Sequence, residues 1–288
     1  MRLVLGLSLL VLFCLAPAVR PAQAQGDCPA PLRIVTWNIE NFNMSDVRDD
    51  VQLKTLVEVI AALDADILAL QEIGNLDAME TLLDAVEDAT GRFYVYAFSE
   101  YSNREQRVGF VWDDDVVALQ GEAEEFRDLA LSGGGLRPGF HADFVFNGYD
   151  FTLFVVHLKA LRDEGSTRVR EAQAMLMAQW LEERPASADE DVIFLGDFND
   201  DFDSESLAPF ASEVDFVTDE LPRTAASYIG GEFRSLIDHI AVTTGDGAQD
   251  EFCGLEVFDP DTVDLRENIF AAIASDHLPL IAEFATGE

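Results

Sequence analysis

Apolar runs and helical stripes alternate along the first part of the chain. The runs at 33–38 and 67–72 are rich in Ile, Val and Leu, which predicts buried strands. After each run, apolar residues recur at three- and four-residue spacing, over 53–63 and over 76–86. That spacing predicts amphipathic helices, and the strand–helix–strand order indicates an α/β protein.

Further along, the pattern predicts strands in series and one more helix. Strand-like segments occupy residues 93–98, 108–112, 141–146, 149–156, 192–196, 236–242 and 278–284. Asn147 and Gly148 separate two of these segments and favour a tight hairpin, because both residues tolerate positive φ. A stripe over 169–180 predicts a helix with Ser166 or Thr167 as its N-cap. These elements predict two sheets packed face to face with helices outside.

The amino terminus has a different character. Arg2 is followed by an apolar run too short to span a bilayer comfortably, and Ala22-Gln23-Ala24 fits a small-residue cleavage site. We interpret residues 1–24 as a secretory signal, cleaved near Ala24, and residues 25–288 as one domain. The mature chain is expected to be periplasmic or extracellular, soluble, monomeric and without stable membrane association, since no second long apolar run follows.

The composition is strongly acidic. Asp and Glu number 55 against 18 Lys and Arg, a formal charge of −37 that becomes −39 when Arg2 and Arg20 leave with the signal. This excess repels polyanions at long range and is typical of a solvated acidic surface. Composition therefore does not suggest a nucleic-acid substrate, whose approach would need screening by divalent cations or salt.

Two cysteines, Cys28 and Cys253, remain after the signal. An even pair in an exported chain is typical of a disulfide, which here would tie the first strand to a late loop. The sequence leaves the bond open, because the distance between the two residues decides whether it forms.

Polar side chains stand where several predicted strands end. The apolar run 192–196, for example, leads directly into an aspartate and an asparagine. The full set is Asn38, Glu40, Glu72, His157, Asp197, Asn199, Asp238, Asp276 and His277. Oxygen ligands dominate this set and thiolates are missing from it, which favours Mg²⁺, Mn²⁺ or Ca²⁺ over a structural zinc ion.

Six short blocks in this order resemble the endonuclease/exonuclease/phosphatase superfamily. They read WNIE, LQE, HLK, GDFND, IDH and SDH, and the resemblance extends over residues 33–284. The superfamily includes pancreatic deoxyribonuclease, abasic-site endonucleases, sphingomyelinases and inositol-phosphate phosphatases. The resemblance implies a four-layer α/β sandwich with two mixed sheets, and metal-dependent hydrolysis of a phosphoester.

The resemblance also implies a metal site. Glu72 matches the metal-binding glutamate, and Glu40 stands where some members supply a second carboxylate to that ion. Asn38 matches the asparagine that helps to hold the metal site and the attacking water. Asp276 matches a carboxylate that can take a second ion.

Catalytic roles follow in the same way. Asp197 and Asn199 match the pair that orients or deprotonates the nucleophile and binds the phosphate. Asp238 matches the carboxylate that orients His277, whose imidazole contacts the phosphate or acts as base. His157 matches the histidine of the deoxyribonuclease branch, a candidate general acid for the leaving oxygen.

Two positions near the matched blocks concern substrate contact. In the deoxyribonuclease branch a glutamate pairs with the equivalent of His157, whereas here Gln106 occupies that position, with Glu105 one residue away. Arg137 and Pro138 resemble an Arg-Pro segment that touches the substrate phosphate. The two remaining histidines, His141 and His239, are expected to be structural.

The sequence therefore predicts an exported Mg²⁺- or Mn²⁺-dependent phosphodiesterase, with Ca²⁺ as an alternative ion. The deoxyribonuclease-like block at His157 favours a nuclease acting on DNA, with RNA as a further substrate. The main alternative is a sphingomyelinase or another lipid or small-molecule phosphodiesterase or phosphatase. A binding module without activity is a third hypothesis, and the intact carboxylates at the matched positions argue against it.

Overall fold

A computed structural model describes residues 28, 31–100, 106–131, 135–185, 187–231, 233–244 and 247–285. The predicted signal at 1–24 lies outside the described residues, so cleavage near Ala24 stays a prediction. In the described part of the chain, no helix is both long enough and apolar enough to cross a bilayer.

The first sheet contains six strands. They are β1 (Leu32–Phe42), β2 (Ile67–Ile73), β3 (Tyr94–Phe98), β4 (Arg107–Asp113), β11 (Phe252–Val257) and β12 (Leu280–Phe284). Their spatial order is β11-β12-β1-β2-β4-β3. Only β1 and β2 pair in parallel, so the sheet is mixed.

The second sheet has six strands as well. They are β5 (Ala118–Phe126), β6 (Gly139–Phe146), β7 (Tyr149–His157), β8 (Val192–Asp197), β9 (Val214–Phe216) and β10 (Asp238–Thr243). The order is β5-β6-β7-β8-β10-β9, and β7 and β8 form its parallel pair. Asn147 and Gly148 make the predicted hairpin between β6 and β7, with φ of 51° and 87°.

Helices cover the outer faces. Those on the first sheet are α1 (Met44–Arg48), α2 (Asp50–Leu63), α3 (Leu76–Thr90) and α6 (Glu267–Ile273), and those on the second are α4 (Glu164–Glu182) and α5 (Ala208–Ala211). Apolar side chains of the two sheets meet between them in a third cluster that includes Phe110, Phe144 and Phe151. The layers are therefore helices, sheet, sheet and helices, which confirms the predicted four-layer sandwich.

The first strand, β1, carries buried apolar residues on both of its faces. Ile34 points into the cluster between the sheets, whereas Val35 and Trp37 point towards the helices of the first sheet. All three side chains are fully buried. Because successive side chains of a strand alternate between faces, a strand covered on both faces has no position for a solvent-facing polar residue.

Helix α4 begins earlier than the sequence predicted. Its N-cap is Asp163, whose carboxylate accepts hydrogen bonds from the backbone N–H groups of Gly165 and Ser166. The expected caps, Ser166 and Thr167, lie inside the first turn instead. An aspartate caps a helix in the same way as a serine, through a side-chain oxygen that accepts from backbone N–H groups. The prediction of a polar N-cap was therefore right, but its position was wrong by at least three residues.

Three strands were missed, β5, β9 and β11, and all three lie at sheet edges. The β5 sequence ALQGEAEEF lacks an apolar run, and Gly121 at φ 75° lies in an irregular part of its pairing with β6. Edge strands carry polar residues because one side faces water, and this removes the hydrophobic signal. Strand β10 begins at Asp238, two residues later than predicted.

Cys28 and Cys253 are joined by a disulfide with a Cα–Cα distance of 6.1 Å. Cys253 lies in edge strand β11 and not in the late loop that the sequence suggested. The bond closes a covalent loop with a sequence separation of 225 residues. It therefore anchors the segment before β1 to the edge of the first sheet.

Replacing both cysteines by serine is expected to lower the free energy of unfolding by about 2–4 kcal/mol, because the open chain regains conformational entropy when it unfolds. Denaturant unfolding of the oxidised wild type and the double variant measures the difference. The reduced wild type is the control and should match the variant. Equal stability of all three forms would contradict the prediction.

Candidate active site

The polar strand ends meet at one edge of the two sheets. Neighbouring residues in register across β7, β8 and β10 are His157, Asp197 and Asp238. In the first sheet Asn38 pairs with Gln71, and Glu72 is the next residue of β2. Parallel strands place their carboxyl ends at the same edge, and this brings residues distant in sequence into one cleft.

Asn38 connects the two halves of the cleft. Its side-chain amide donates to Glu72 Oε1 at 3.3 Å and to Asp197 Oδ2 at 3.1 Å. Its own Oδ1 accepts from the backbone N–H of Glu40 at 3.1 Å. Asn38 is buried, so one amide fixes carboxylates from both sheets.

His277 lies between carboxylates deep in the cleft. Its Nδ1 is 2.7 Å from Asp238 Oδ2, and its Nε2 is 3.9 Å from Asp197 Oδ2. Burial opposes the charged imidazole, but the carboxylates of Asp238, Asp197 and Asp276 outweigh it and raise the pKa of His277 to about 10. The imidazole is therefore protonated at neutral pH, with Nε2–H directed towards the cleft.

Asp197 is buried beside these groups. Burial and the neighbouring Asp238 carboxylate raise the pKa of Asp197 to about 7. Ligand atoms of Asp197, Asp238 and His277 all lie within 4.8 Å of one another, a spacing that can hold a metal ion. The proton of His277 and its hydrogen bond to Asp238 disfavour a metal ion at that position, because a histidine can bind a metal ion only when its imidazole is neutral.

His157 occupies the same cleft without an orienting partner. Its Nε2 lies 3.4 Å from Asp197 Oδ2 and 3.8 Å from Glu72 Oε1. Its buried Nδ1 has no hydrogen-bond partner among the described residues. Burial, Arg137 and His277 together lower the pKa of His157 well below its usual value, so this imidazole is neutral.

Gln106 does not orient His157. Its amide donates to Asn41 Oδ1 at 2.6 Å, and its carbonyl oxygen accepts from the Arg137 guanidinium. Gln106 therefore connects Arg137 to the last residues of β1. Arg137 is close enough to His157 to affect its pKa, which places it at the cleft as the sequence suggested. Glu105 lies outside the described residues.

Three further carboxylates line the cleft mouth. Glu72 Oε2 accepts from the backbone N–H of Asn41 at 2.9 Å, and Glu40 Oε2 accepts from that of Asp276 at 3.1 Å. Burial and the charge of Asp276 raise the pKa of Glu40. Burial also raises the pKa of Asp276, with a further contribution from Glu72, whereas His277 acts in the opposite direction. These oxygens repel one another, and a divalent cation among them would remove that repulsion.

The backbone at the strand ends adopts conformations that few residues favour. Glu40, Glu72 and Asn199 have φ of 47°, 64° and 56°. Gly196 has φ 137°, and a Cβ there would lie 2.1 Å from the carbonyl oxygen of Val156. Strain of this kind is typical of functional sites, and the glycine allows β8 to present Asp197 close to β7.

Asn199 belongs to the loop after β8. Its backbone N–H donates to Asp197 Oδ1 at 2.9 Å, and its side-chain amide donates to Leu158 O at 3.3 Å. All nine polar residues selected at the strand ends are thus connected to the cleft by the contacts above.

Sequence reasoning missed the hydroxyl groups that hold the cleft. Ser275 Oγ donates to Asn38 O at 2.6 Å and accepts from the N–H of His277 at 3.0 Å. Ser227 Oγ accepts from the N–H groups of Ile237 and Asp238. Ser275 belongs to the SDH block, which was a usable signal, whereas nothing in the sequence distinguishes Ser227 from other loop serines.

Arg170 is a second residue that the sequence did not reveal. Its guanidinium is buried, lies 2.8 Å from Asp200 and donates to the carbonyls of Lys159 and Leu161. It therefore joins the loop after β7 to the loop after β8.

His141 and His239 have structural surroundings, as expected. His239 is buried and contacts Thr218 Oγ1 and the carbonyl oxygen of Asp200. The ring of His141 stacks on Phe154 at 5.7 Å and lies 5.0 Å from Trp180.

Comparison with known proteins places this geometry in a family. The profile of the Endonuclease/Exonuclease/phosphatase family matches residues 35–277. The chain belongs to this family. Its members are nucleases and phosphatases that hydrolyse phosphoric esters and depend on divalent metal ions, so the enzyme class expected from the sequence is confirmed at this level.

One curated relative is a deoxyribonuclease from Thioalkalivibrio sp. (strain K90mix). It is 32% identical over 177 residues, which cover 59% of this chain and 46% of the relative. The match therefore spans less than half of that protein.

Solved structures share the fold at low identity. Zebrafish (D. rerio) TDP2 complexed with a single-strand DNA product has a TM-score of 0.67 at 17% identity, covering 90% of this chain and 100% of that one. The human Nocturnin catalytic domain has a TM-score of 0.61 at 21%, covering 88% and 94%. A mannosyl-6-phosphatase from Bacteroides thetaiotaomicron has 0.61 at 18%, covering 88% and 100%.

Replacing Asp238 by Asn is expected to lower the pKa of His277 from about 10 towards its ordinary value, because the largest opposing charge is removed. NMR titration of the imidazole protons measures this directly, since the chain has only four histidines. Asp84→Asn, at an exposed position on α3, is the control and should leave the His277 titration unchanged. An unchanged pKa in the Asp238 variant would show that the charge of Asp238 is not its cause.

Proposed function

We propose that the chain is a divalent-metal-dependent phosphodiesterase, and that its substrate is nucleic acid. One observation supports this proposal above the others. The cleft holds a protonated His277 next to a buried Asp197 whose pKa is raised, and the carboxylates of Glu40, Glu72 and Asp276 line its mouth. A cation-binding mouth beside a fixed positive charge suits a phosphodiester, whose oxygens are negative.

Asp197 is the best-placed base for the attacking water. Its pKa of about 7 lies near a neutral working pH, which is favourable for proton transfer. The backbone N–H of Asn199 and the amide of Asn38 hold its two oxygens in place. Water is the nucleophile, so no covalent link between protein and substrate is required.

His277 then serves as a cation that contacts the phosphate. Asp238 fixes its orientation and keeps it protonated, so it can also return a proton. His157 is neutral, which disfavours the general-acid role implied by the resemblance and leaves it a hydrogen-bonding role. Arg137, held by Gln106, adds a second positive charge at the same cleft.

The residues present fit a hard divalent cation. Glu40, Glu72 and Asp276 would hold it through oxygen atoms, with Asn38 next to them. When bound, Mg²⁺ or Mn²⁺ supplies positive charge that offsets the phosphate and polarises the P–O bond.

A pocket that contains three arginines supports a polymeric substrate. Loops at the same strand ends enclose a cavity of about 370 Å³, lined by Arg162, Arg223 and Arg234 together with Asp201 and Asp203. Arg223 and Arg234 form ion pairs with Asp203 and Glu267, and the three guanidinium groups outnumber the two aspartates of the lining. The Arg223 guanidinium lies over the ring of Phe202, 5.3 Å from its centroid, and an aromatic ring beside an arginine also suits stacked bases. In so acidic a chain, arginines gathered here give a polyanion a local contact, and the name of the curated relative, deoxyribonuclease, points to the same substrate.

Export is part of the proposal. It rests on the signal-like pattern of residues 1–24, and the pairing of Cys28 with Cys253 supports an oxidising compartment. We further propose a monomer that does not associate stably with membranes. Amino-terminal sequencing of the protein recovered outside the cytoplasm tests the cleavage near Ala24.

The decisive experiment supplies the protein with plasmid DNA, single-stranded DNA, RNA, sphingomyelin vesicles and a phosphomonoester, each with Mg²⁺ or with chelator. We expect metal-dependent cleavage of nucleic acid. His277→Ala and Glu72→Ala should each lower the rate by about 10²–10⁴-fold, because each removes charge that the transition state needs. Circular dichroism checks that both variants stay folded.

Glu87→Gln, an exposed carboxylate change on α3, is the matched control and should keep full activity. Cleavage of sphingomyelin or the monoester without nucleic acid would support the alternative phosphodiesterase or phosphatase hypothesis. Full metal-dependent turnover in either site variant would refute the site itself.

Replacing Arg162 and Arg223 together by Ala is expected to lower kcat/KM on single-stranded DNA by about tenfold, because phosphate contacts are lost. A small phosphodiester, which has no neighbouring phosphates for the arginines to contact, should be hydrolysed at the wild-type rate. Arg168→Ala, an exposed arginine on α4, is the control. An equal loss on both substrates would mean that the pocket acts on catalysis and not on polymer binding.

A further inference from the structure

The two most exposed large apolar side chains in the described part of the chain lie beside the same pocket. Phe233 is 81% exposed and Leu161 is 66% exposed. Leu161 directly precedes Arg162, Phe233 directly precedes Arg234, and both arginines line the cavity of about 370 Å³ at the strand ends. Adjacent residues have Cα atoms about 3.8 Å apart, so both apolar residues stand at the rim of this cavity.

Leu161 is held in an unfavourable backbone conformation at that rim. Its φ is 80°, a left-handed value that costs free energy for a bulky residue. The buried guanidinium of Arg170 donates to the carbonyl oxygen of Leu161 at 2.6 Å and thereby fixes this conformation. Residues held in such conformations cluster at functional sites. Burial does not account for the position of Leu161, because its side chain stays in solvent.

Phe233 belongs to a loop that is anchored beside His277. Tyr228 and Ser235 close this loop through reciprocal backbone hydrogen bonds of 2.9 and 3.2 Å. The ring of Tyr228 lies edge-on to the imidazole of His277, with 5.2 Å between the two centroids. Phe233 precedes Ser235 by two residues, which span at most about 7 Å. The loop therefore carries the exposed ring at the side of the catalytic cleft.

Contacts at its base keep this loop in place. A Cβ at Gly230 would lie 2.5 Å from the hydroxyl oxygen of Tyr228, so a larger residue there would displace the Tyr228 ring. The backbone N–H of Ile229 donates to Asp276 O at 2.8 Å, which ties the loop to the cleft mouth. Phe233 is thus exposed on a loop whose base has a fixed position.

Apolar groups alternate with guanidinium groups around the cavity. Besides the two pairs of adjacent residues, Phe202 lines the cavity and has Arg223 over its ring. Arginines bind phosphate groups, whereas aromatic and apolar side chains contact the faces of unpaired bases. A single strand of nucleic acid presents both groups at once, so its chemistry matches this surface.

We propose that Phe233 and Leu161 contact unpaired bases of a nucleic-acid strand whose phosphates pass the arginines, and that the enzyme acts on single strands in preference to duplexes. The bases of a duplex are stacked inside the helix, and an enzyme must pay to unstack them before a side chain can contact their faces. This inference rests on the proposed function, because it requires a nucleic-acid substrate in the cleft.

A lipid surface is the competing partner for exposed apolar side chains. Insertion into a bilayer requires a continuous apolar face, whereas the apolar residues here alternate with arginines. The formal charge of −37 repels anionic membranes as well. The same charge repels nucleic acid at long range, but a single strand gains contacts with both kinds of side chain once it reaches the cavity.

The first test compares hydrolysis of a labelled single strand with that of the same strand annealed to its complement, both in Mg²⁺. The wild type should have a kcat/KM at least about tenfold higher on the single strand. Phe233→Ala should reduce this preference to about twofold or less, since stacking of one base on a ring contributes roughly the lost factor. Phe233→Trp, which keeps an aromatic ring, should retain the preference.

Phe93→Ala is the matched control, because Phe93 is also exposed but precedes the strand end that lies away from the cleft. This variant should keep the wild-type preference. Leu161→Ala should lower kcat/KM on the single strand by a smaller factor than Phe233→Ala, since leucine offers no ring for stacking.

The second test asks whether a base is the partner of the Phe233 ring. Binding of a single strand is measured in chelator, with one nucleotide at a time replaced by an abasic spacer. At one position the spacer should weaken binding to the wild type by about tenfold and have little effect on Phe233→Ala, in which the contact is already lost. A purely structural effect of the substitution would weaken binding of every strand equally.

The possible failures are distinguishable. Equal hydrolysis of single strand and duplex by the wild type, or an unchanged preference in Phe233→Ala, overturns this inference and leaves the proposed function standing. Binding to sphingomyelin vesicles that depends on Phe233 would identify a membrane as the partner and overturn it as well. If the wild type hydrolyses no nucleic acid in Mg²⁺, both the inference and the proposed substrate fail.

Discussion

The Asn38 amide is the point at which the two sheets meet in the cleft, and the site depends on that contact. It binds Glu72 of the first sheet and Asp197 of the second, although 125 residues of chain separate these partners. The sheets can meet this way only because the apolar cluster between them fixes their spacing. A catalytic group that moves by about 1 Å loses much of its effect, so the rigid sandwich is part of the chemistry.

The Asn38 contact brings the carboxylates of Glu72 and Asp197 close together, and the positive charge of His277 offsets part of their negative charge. His277 keeps its proton because Asp238 and Asp197 lie near its two ring nitrogens, and its charge in turn opposes the rise that burial and Asp238 cause in the pKa of Asp197. His157 lies in the same cleft, but burial, Arg137 and His277 together make its protonation unfavourable. Burial opposes the charged form of both histidines, and neighbouring carboxylates outweigh it only at His277.

The sequence predicted the fold, and it identified the polar residues at strand ends that the fold brings to one cleft, because both follow from local patterns. Strand β8 is apolar up to Gly196 and ends in the polar Asp197, so the sequence alone indicates which end of the strand carries the candidate site residue. The pairing of Gln106 with Arg137 and the isolation of His157 Nδ1 could not be predicted, because they depend on how loops pack. Edge strand β5 was missed for a related reason, since its polar residues face water.

Both ends of the sandwich gather carboxylates, but they differ in how the charge is offset. In the catalytic cleft His277 bonds to Asp238, and Asn38 bonds to Glu72 and Asp197, so much of the charge is met by the protein itself. At the opposite end Arg184 donates to a carbonyl oxygen and a hydroxyl, and one carboxylate oxygen each of Asp191 and Glu251 has no hydrogen-bond partner in the part of the chain that the structure describes. There, burial and neighbouring carboxylates raise the pKa of Asp189 and of Asp191, so protonation reduces their charge, whereas in the cleft the negative charge is offset by His277 and Asn38.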